Sequence, residues 1–221
     1  MTTQEAIKTR HTVRRYRDRS ISGEIRELLL KRMEQHNRER NLALCLVTEN
    51  GEAFGPLLKL FLAKGVRNYV ILAGPNRPGL DEDLGYYGAD VMLLAQTLGL
   101  NSWWVGETFH RKGLQKNAPP EAETILGLIA LGYGATQGVP HKSKRPEEVA
   151  FYQGESPEWF TKGVEAVLLA PTALNKQAFT IRGQGRRVSM TCDNGVFSGV
   201  DLGIGKYHFE VGAGRDHFDW A

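Results

Sequence analysis

Apolar residues recur at helical spacing in three long stretches of the chain. They lie in Ser22–Arg40, in the stretch that begins at Asp81 and ends at Gly99, and in a stretch opened by Ser156 and Pro157. In each stretch the apolar side chains return every three or four residues, which places them on one face of a helix. Ser22 and Asp81 are also residue types that cap helix N-termini. The pattern therefore predicts three amphipathic helices, and VDLGIGKYHFEVG is predicted to form a final helix.

Short apolar runs bounded by glycine, proline or asparagine alternate with these helices. Such runs are typical of strands that are buried in a sheet. They are LALCLVT, YVILAG, SWWVG, TILGLIALGYG, AFTIRG and RRVSMTC. A shorter helical stretch is expected from Pro56 to Gly65, and the polar segment from HKSKRPEE to Gly154 is expected to be a connection. The alternation predicts a layered α/β or α+β domain, and no segment is poor enough in apolar residues to divide it.

The composition is that of an ordinary soluble globular protein, with 41% hydrophobic and 24% charged residues among 221. The longest apolar runs fall far short of the roughly 20 residues that a membrane helix needs. The first residues have no apolar core of the kind that a secretory signal has. Only Cys45 and Cys192 are available, so no disulfide framework is expected. We therefore expect a cytoplasmic protein with reduced thiols and no membrane partner.

Positive charge is concentrated at the start of the chain. Residues 1–40 hold eleven Lys or Arg and six Asp or Glu, a net charge of +5, and the remainder of the chain carries −2. A basic region can face nucleic acid, a membrane surface or a ligand that carries phosphate. No helix-turn-helix, zinc-finger or RNA-binding motif accompanies the charge, so no nucleic-acid partner is expected. A small phosphate-bearing ligand needs only two or three converging cations, so we keep this interpretation of the basic region.

Several kinds of chemistry lack their sequence signatures. There is no HxH, HxxxH or CxxC spacing for a metal, and no metal ligand is expected. There is no Gly-x-Ser-x-Gly elbow for a hydrolase and no GxGxxG turn for a dinucleotide. A ligand would therefore be held by scattered backbone and cationic contacts.

Four stretches carry groups that suit such contacts. Arg10–Tyr16 holds arginines, which bind phosphate with paired hydrogen bonds. Trp103–Glu107 ends a strand at Gly106, where the backbone can approach a planar ligand closely. His141–Pro146 is a second cationic cluster, and Ala170–Gln177 supplies amide side chains after a Pro-Thr turn.

Together these stretches resemble the FMN-dependent nitroreductase family, and in particular a subgroup with a C-terminal APTALNKQ motif. Arg10–Tyr16 is similar to the family's opening Arg-(Arg/His)-Ser-x-Arg-x-(Tyr/Phe) motif, with Thr12 for Ser. Asp83–Gly106 resembles its D-x-G helix and tryptophan-rich strand, and Leu131–Val149 its L-G-Y loop and Pro-x-Glu-Glu end. APTALNKQAF resembles the APSAxNxQPW motif, with Ala178-Phe179 for Pro-Trp. The resemblance implies an α+β fold in which helices flank a central, mostly antiparallel sheet.

The order of the motifs departs from the family. The APSAxNxQ segment normally follows the arginine motif by one helix, and in family homodimers it reaches the flavin of the neighbouring subunit. Here it lies near the C-terminus, and the string Asp83-Leu84-Gly85 recurs as Asp201-Leu202-Gly203. We hypothesise that residues 1–154 form the flavin-binding part and residues 155–221 a degenerate half-copy that completes the same domain. A monomer that imitates a dimer is then favoured, and a homodimer stays open.

The resemblance also assigns residues to the cofactor. Around the FMN phosphate it implies contacts from Arg10, His11, Thr12 and Arg14, with Lys142, Lys144 and Arg145 closing on it. It implies a backbone N–H near flavin N5 from Gly106 and Glu107. Around the ring and ribityl chain it implies Pro171, Thr172, Asn175 and Gln177. Trp103 and Trp104 are adjacent on a strand, so at most one of them can face such a ligand.

The implied activity is ping-pong transfer of a hydride from NAD(P)H to FMN and of electrons to a small organic acceptor, a quinone or a nitro compound. The cofactor carries this chemistry, so no catalytic side chain is expected. One alternative is a flavin-binding or flavin-storage protein without turnover. Another is an enzyme that consumes its own reduced flavin or acts on a halogenated or other specialised substrate.

Overall fold

The computed structural model of the protein describes residues 1–55, 60, 63–193 and 195–221. The chain divides into two compact units and passes between them several times. The first unit consists of Met1, Arg10–Leu80 and Val91–Val139, and the second of Thr2–Thr9, Asp81–Asp90 and Pro140–Ala221. The helical stretch expected from Pro56 to Gly65 lies largely outside the described residues.

Helices and strands alternate along the chain, as the apolar pattern predicts. The described helices are α1 (Thr3–Thr9), α2 (Gly23–Arg40), α3 (Leu80–Thr97), α4 (Arg111–Gln115), α5 (Glu158–Val167) and α6 (Ser198–Ala213). The strands are β1 (Cys45–Val47), β2 (Asn68–Gly74), β3 (Asn101–Val105), β4 (Thr124–Gly132), β5 (Ala150–Tyr152), β6 (Phe179–Gln184), β7 (Arg187–Cys192) and β8 (Asp219–Trp220). None of the described helices combines the length and the apolar character needed to cross a bilayer.

The first unit is built on an antiparallel sheet in the order β1-β2-β4-β3. Every residue of β2 is buried, as are the last six residues of β4. Strands covered on both faces read as continuous apolar runs rather than alternating ones, which is why YVILAG and TILGLIALG were recognisable in the sequence. The mixed α and β architecture with an antiparallel sheet confirms the predicted fold class.

Aromatic side chains fill the core of the first unit on one face of its sheet. Trp103 is buried and stacks on Phe54 with a centroid distance of 6.1 Å, and Tyr69 meets Phe54 edge-on at 6.3 Å. Trp104 is only half-buried. The alternation of side chains along β3 therefore gives Trp103 to the core and turns Trp104 to the other face.

Two helix ends were predicted from capping residues, with different outcomes. Ser22 caps α2 as expected, because its Oγ accepts a hydrogen bond from the Ile25 N–H at 3.4 Å. Asp81 does not cap α3, which contradicts the prediction. That helix begins at Leu80, and Gly79 occupies the cap position with a left-handed φ of 74°. Glycine adopts this conformation without a steric cost, so the helix starts two residues early and Asp81 lies in its first turn.

The second unit has its own four-stranded sheet in the order β5-β6-β7-β8. Strands β6 and β7 form an antiparallel hairpin around Gly185, and β5 and β8 add to it in parallel on either side. The sequence predicts β6 and β7 as two short strands but treats β5 as part of a connection. Strand β5 has only three residues, and its central Phe151 is exposed, so no buried pattern marks it. The predicted apolar positions of α5 pack in the core of this unit.

The two Asp-Leu-Gly strings face each other where α3 meets α6 inside the second unit. A Cβ atom added to Gly85 would overlap the carbonyl oxygen of Val200, and one added to Gly203 would overlap that of Glu82. Each glycine thus lies against the residue three positions before the other glycine. Polar bonds flank the crossing: Lys206 Nζ lies 2.5 Å from Glu82 Oε1, and the Tyr86 hydroxyl donates to Glu210 Oε2 at 2.5 Å.

Candidate functional site

The arginine segment Arg10–Tyr16 is fixed to the ends of two strands of the first unit. Thr12 forms a parallel bridge with Ser102 of β3, and the Val13 N–H donates to the Ser102 carbonyl at 3.0 Å. Tyr16 bridges Gly134, and its hydroxyl donates to the Ala130 carbonyl of β4 at 3.2 Å. The segment therefore runs alongside β3 in the same direction.

Arg10 is the charged group that this arrangement buries. Its side chain is 3% exposed, and its Nε and Nη1 atoms have no hydrogen-bond partner among the described residues. Burial lowers the pKa of Arg10 to about 10, although the nearby Tyr16 opposes the shift. Burial also raises the pKa of Tyr16, so that group stays a neutral phenol. A buried guanidinium with unmet donors is costly unless an anion pairs with it, which is the chemistry of a phosphate site.

The residues that follow Arg10 in this segment are more exposed than Arg10 itself. Arg14 is exposed, and its guanidinium carbon lies 5.2 Å from the centre of the Trp103 ring. His11 and Thr12 are half-buried under Gly138, where an added Cβ would come within 2.8 Å of the His11 Cβ. Gly138 has a φ of 73°, so glycine is favoured there both by conformation and by space.

Gly106 and Glu107 follow directly after β3 in the same unit. Gly106 is half-buried and Glu107 is exposed. Opposite them on β4, a Cβ added to Gly127 would lie 2.6 Å from the Val105 carbonyl oxygen. The two strands thus approach each other closely where β3 ends, and the backbone at Gly106 stays accessible.

The cationic segment predicted to close on a phosphate lies in the second unit and is tied to its own chain. The Lys144 N–H donates to Gln177 Oε1 at 2.7 Å, and Lys144 Nζ donates to the Gln177 carbonyl at 3.0 Å. Arg145 is exposed, and its Nε lies 3.4 Å from Glu147 Oε1 and 3.3 Å from Glu148 Oε2. The Arg145 N–H donates to Glu148, and this bond lowers the pKa of that carboxyl. Lys142 is exposed.

The APTALNKQ segment is joined to the cationic segment by amide side chains. Asn175 Nδ2 donates to the Lys142 carbonyl at 2.8 Å, and the Gln177 N–H donates to Thr172 Oγ1 at 3.1 Å. Gln177 is 1% exposed, and its Nε2 lies 3.0 Å from both the Leu168 carbonyl and His141 Nε2. Both polar atoms of the Gln177 amide are therefore engaged within the chain. Pro171 and Thr172 are half-buried beside it.

The backbone of this segment is strained. Leu174, Asn175 and Gln177 have φ values of 53°, 55° and 46°, a region that costs roughly 1–2 kcal/mol for most L-residues. A buried carboxylate supports the turn: Asp201 is 2% exposed, and both of its oxygens lie 3.1 Å from the Ala173 N–H. Sequence reasoning noted Asp201 only as part of the repeated string. Nothing in the sequence indicated its bond to a residue 28 positions away.

An open cleft of about 460 Å³ lies elsewhere in the first unit. It is lined by the segment between β3 and β4 and by the first residues of β4. Phe109, Leu114 and Ile125 form apolar walls, and Arg111 and Glu123 are charged groups of the lining. Its volume suits a small organic molecule, and sequence reasoning did not find it. Within the described part of the chain, no three His, Cys, Asp or Glu side chains come together in a way that could hold a metal ion.

Comparison with known proteins identifies the family. A profile of the family described as "Putative TM nitroreductase" matches residues 2–213. A "putative nitroreductase" from Thermotoga maritima has a similar structure, with a TM-score of 0.70 and 20% identity over 98% of this chain and 85% of its own. None of the curated proteins that were compared matches the chain significantly.

Two shorter structures match a smaller part of the chain. A "putative NADH dehydrogenase/NAD(P)H nitroreductase" from Bacteroides thetaiotaomicron has a TM-score of 0.54 and 20% identity, over 67% of this chain and 96% of its own. A "putative nitroreductase in complex with FMN" from Desulfovibrio desulfuricans has a TM-score of 0.53 and 18% identity, over 71% and 98%. At these identities the likeness shows the fold, and the APTALNKQ subgroup stays a prediction. The profile covers nearly the whole chain, and the protein therefore belongs to this nitroreductase family.

Proposed function

We propose that the protein is an FMN-dependent oxidoreductase of the nitroreductase type. Membership of the family supports an oxidoreductase, and the related Desulfovibrio structure is a complex with FMN. The Bacteroides relative's description as an NADH dehydrogenase or NAD(P)H nitroreductase supports a nicotinamide as the electron donor. The observation that carries the proposal is Arg10, a buried guanidinium whose Nε and Nη1 lack partners among the described residues.

The proposed phosphate contacts are the groups around Arg10. Its two unmet donors and the exposed guanidinium of Arg14 bind the dianion, with His11 and Thr12 beside them. Thr12 pairs with Ser102, and Gly106 lies four residues after Ser102. Four residues of a strand span roughly 13 Å, which is the separation along β3 between the level of Thr12 and Gly106. The ribityl chain and ring of FMN span a distance of this order. This spacing supports a role for the Gly106 and Glu107 backbone beside the flavin ring.

When bound, FMN would supply the redox chemistry: hydride uptake at N5 from NAD(P)H and ping-pong electron transfer to a quinone or nitro compound. The chain's part is to hold the phosphate, to orient the ring and to exclude water. No side chain has to donate or accept a proton in this scheme, so we assign no catalytic residue.

The remaining predicted flavin contacts, in the second unit, stay proposals. They are Lys142, Lys144, Arg145, Pro171, Thr172, Asn175 and Gln177. A ligand would have to compete with Glu147 and Glu148 for the Arg145 guanidinium. It would likewise have to displace internal hydrogen bonds to reach the Gln177 amide. Lys142 and Thr172 are the more accessible candidates.

The test is to purify the protein without added cofactor, to record its visible spectrum and to titrate the apoprotein with FMN. Arg10→Met keeps the side chain's volume and removes its charge, and we expect it to raise the Kd for FMN about 10- to 100-fold. Arg15→Gln is the matched control, since Arg15 is an exposed arginine of the same segment, and it should leave the Kd within twofold. A wild-type protein that is colourless and takes up no FMN would refute the proposal.

Turnover is tested separately by NAD(P)H oxidation with a quinone or a nitroaromatic compound. Steady oxidation that depends on the acceptor supports an enzyme. Stoichiometric FMN binding without such oxidation would instead indicate a flavin-binding or flavin-storage protein.

We further propose that residues 155–221 contain a degenerate half-copy of the flavin-binding part, so that a single chain imitates a dimer. The reciprocal packing of Gly85 and Gly203 supports this, because equivalent elements related by a two-fold axis make the same contact twice. The shorter relatives support it too. They match this chain along almost their whole length yet cover only 67% and 71% of it.

A further inference from the structure

The open cleft of the first unit has walls that the fold itself holds in place. Its lining lies in residues 109–125, and α4 forms one side of it. A Cβ added to Gly113 of that helix would lie 2.4 Å from the Glu52 carbonyl oxygen, so the helix packs tightly against this neighbour. Just before the helix, the His110 N–H donates to the Ala53 carbonyl at 2.8 Å. The chain makes these contacts alone, so the shape of the cleft does not depend on a ligand.

The apolar part of the lining is backed by the core of the first unit. Phe109, Ala118 and Ile125 are half-buried and pack against the core cluster, and Leu114 belongs to that cluster. A recessed apolar surface of this kind favours binding, because a ligand that covers it removes it from water. The ring of Phe109 is flat, which suits an aromatic ligand.

Arg111 supplies a cation to the cleft. Its guanidinium carbon lies 5.6 Å from the centre of the Phe109 ring. This guanidinium is exposed and forms no ion pair within the described part of the chain. An arginine fork presents paired donors whose spacing matches the two oxygens of a carboxylate. The lining therefore combines an apolar surface with one available cation.

Glu123 limits the charge that the cleft can accept. It also lines the cleft, and its Oε2 accepts from the Asn76 N–H at 2.9 Å. The chain thus engages this carboxylate, whereas the Arg111 guanidinium stays available. A dianion such as a phosphate monoester would be opposed by Glu123 and met by a single arginine, so a ligand with one negative charge fits best.

We propose that this cleft binds a small aromatic carboxylate. The ring of the ligand packs against Phe109 and Ile125, and its carboxylate accepts paired hydrogen bonds from Arg111. The volume of about 460 Å³ is within the range of small-molecule sites and admits a compound of one or two rings. The inference goes beyond the proposed function, because it needs no flavin.

The cleft and the arginine segment lie toward opposite ends of β4. Ile125 is the second residue of that strand, whereas the Tyr16 hydroxyl, at the end of the arginine segment, donates to the Ala130 carbonyl. The five residues from Ile125 to Ala130 span roughly 17 Å of strand. A compound of one or two rings in the cleft does not extend that far.

The first test is to titrate para-fluorobenzoate with the purified protein and to follow its signal by fluorine NMR. We expect saturable binding, and the neutral para-fluorobenzamide should bind at least tenfold more weakly, because it lacks the charge that Arg111 recognises. Arg111→Gln should raise the Kd for para-fluorobenzoate about tenfold. Lys112→Gln is the matched control, since Lys112 is exposed on the same helix but does not line the cleft, and the Kd should stay within twofold.

Gln115→Glu tests the same contact with the arginine in place. Gln115 is exposed, lines the cleft and lies four residues after Arg111 on α4, so a glutamate there competes for the guanidinium. We expect the Kd to rise three- to tenfold, although the net charge changes by the same amount as in Lys112→Gln. Equal effects of the three substitutions would show a response to overall charge alone and would overturn the site.

The outcomes separate this inference from the proposed function. Arg10→Met should bind para-fluorobenzoate as the wild type does. If it does not, or if FMN displaces the compound, the compound occupies the proposed flavin site and the cleft is wrong. A wild-type protein that binds FMN without saturable binding of para-fluorobenzoate refutes the cleft alone. Binding of para-fluorobenzoate by a protein that takes up no FMN refutes the proposed function alone.

Discussion

Arg10 and Asp201 are both charged and both buried, but the chain treats them differently. Asp201 accepts from the Ala173 N–H with its two oxygens, so its charge supports the fold. Arg10 keeps two nitrogens without partners among the described residues. An ion that is desolvated without compensation lowers stability, and a ligand that pairs with it returns that free energy on binding. Without a ligand, the protein is therefore expected to be less stable than it would be if an apolar side chain replaced that of Arg10.

This difference predicts how stability responds to Arg10→Met. Without FMN, the variant should melt no lower than the wild type, because a buried unpaired charge is replaced by an apolar side chain of similar volume. FMN at 100 times its Kd should stabilise the wild type by about 2.7 kcal/mol, which corresponds to roughly 5–10 °C in a chain of this size. At the same FMN concentration the variant should shift much less. Differential scanning fluorimetry measures both, and equal shifts in the two proteins would contradict the role of Arg10.

The thiols provide a second prediction at this scale. Burial raises the pKa of Cys192 to about 12, the carboxylates of Asp201 and Asp193 add to the effect, and Lys144 opposes it. Burial also raises the pKa of Cys45. At pH 8 the Cys192 thiol is therefore almost entirely neutral. We expect it to react with a disulfide reagent roughly 50-fold more slowly than free cysteine does.

The measurement uses a Cys45→Ser variant, so that Cys192 is the reacting thiol. Its rate should still be rising with pH at pH 10, where the rate of free cysteine has reached its plateau. Adding Asp201→Asn should speed the reaction at pH 8, because one of the carboxylates that raise the pKa is gone. A rate that levels off near pH 9 would show an ordinary thiol.

The sequence indicates some candidate site residues and hides others for a physical reason. Arg10–Tyr16 is a contiguous segment of distinctive residue types, so it could be recognised as a phosphate-binding candidate. Asp201 supports the turn before Leu174 through a hydrogen bond across 28 positions, and Leu174 itself has a left-handed backbone angle. Neither a long-range bond nor a left-handed leucine leaves a local signal, so only the structure reveals them.

At the scale of elements, prediction succeeds where burial imposes a long pattern. Strands β2 and β4 are continuous apolar runs because both faces are covered, and α2 follows from its periodicity and its cap. Strand β5 escapes prediction because three residues with an exposed centre carry no pattern. Helix α3 starts at Leu80 rather than at the expected cap, since the left-handed Gly79 sets its beginning.

The crossing of α3 and α6 yields a prediction about glycine. Gly85→Ala and Gly203→Ala each place a methyl group against a backbone carbonyl, and backbone cannot rotate away as a side chain can. Each substitution should therefore cost about 2–4 kcal/mol of unfolding free energy, and the two losses should be similar because the contacts are reciprocal. Chemical denaturation of the two variants measures this.

Gly23→Ala is the control for this pair. Gly23 opens α2, and an added Cβ there meets nothing within 4 Å. Alanine has the better helix propensity, so this variant should be unchanged or up to about 1 kcal/mol more stable. If one of the two crossing glycines tolerated alanine as Gly23 does, the reciprocal packing would be refuted.

At the scale of the whole molecule, the question is how many chains make one flavin site. The Thermotoga structure matches 98% of this chain, whereas the Bacteroides and Desulfovibrio structures fit almost entirely into about two thirds of it. The remaining third is what a half-copy would add to the fold. The repeated Asp-Leu-Gly string and the C-terminal position of the APTALNKQ motif are the sequence features that favour a copy over an unrelated extension.

The half-copy predicts one FMN per chain in a monomer. The measurement combines light scattering after size-exclusion chromatography, for the mass, with flavin absorbance against an independent protein concentration. A mass near the 24.6 kDa of one chain with one FMN agrees with the proposal. One FMN for two chains in a dimer would show that the site needs a second copy.

The interleaving of the two units has a consequence for biosynthesis. Helix α1 belongs to the second unit, where Gln4 Nε2 donates to the Val211 carbonyl at 3.2 Å. The ribosome nevertheless makes residues 2–9 before most of the first unit, and residues 140–221 after it. At about 5–20 residues per second, the helix waits roughly 10–40 s for its partner to be translated. The first unit can begin to fold while it emerges, but the second can be completed only after residues 140–221 have also left the exit tunnel.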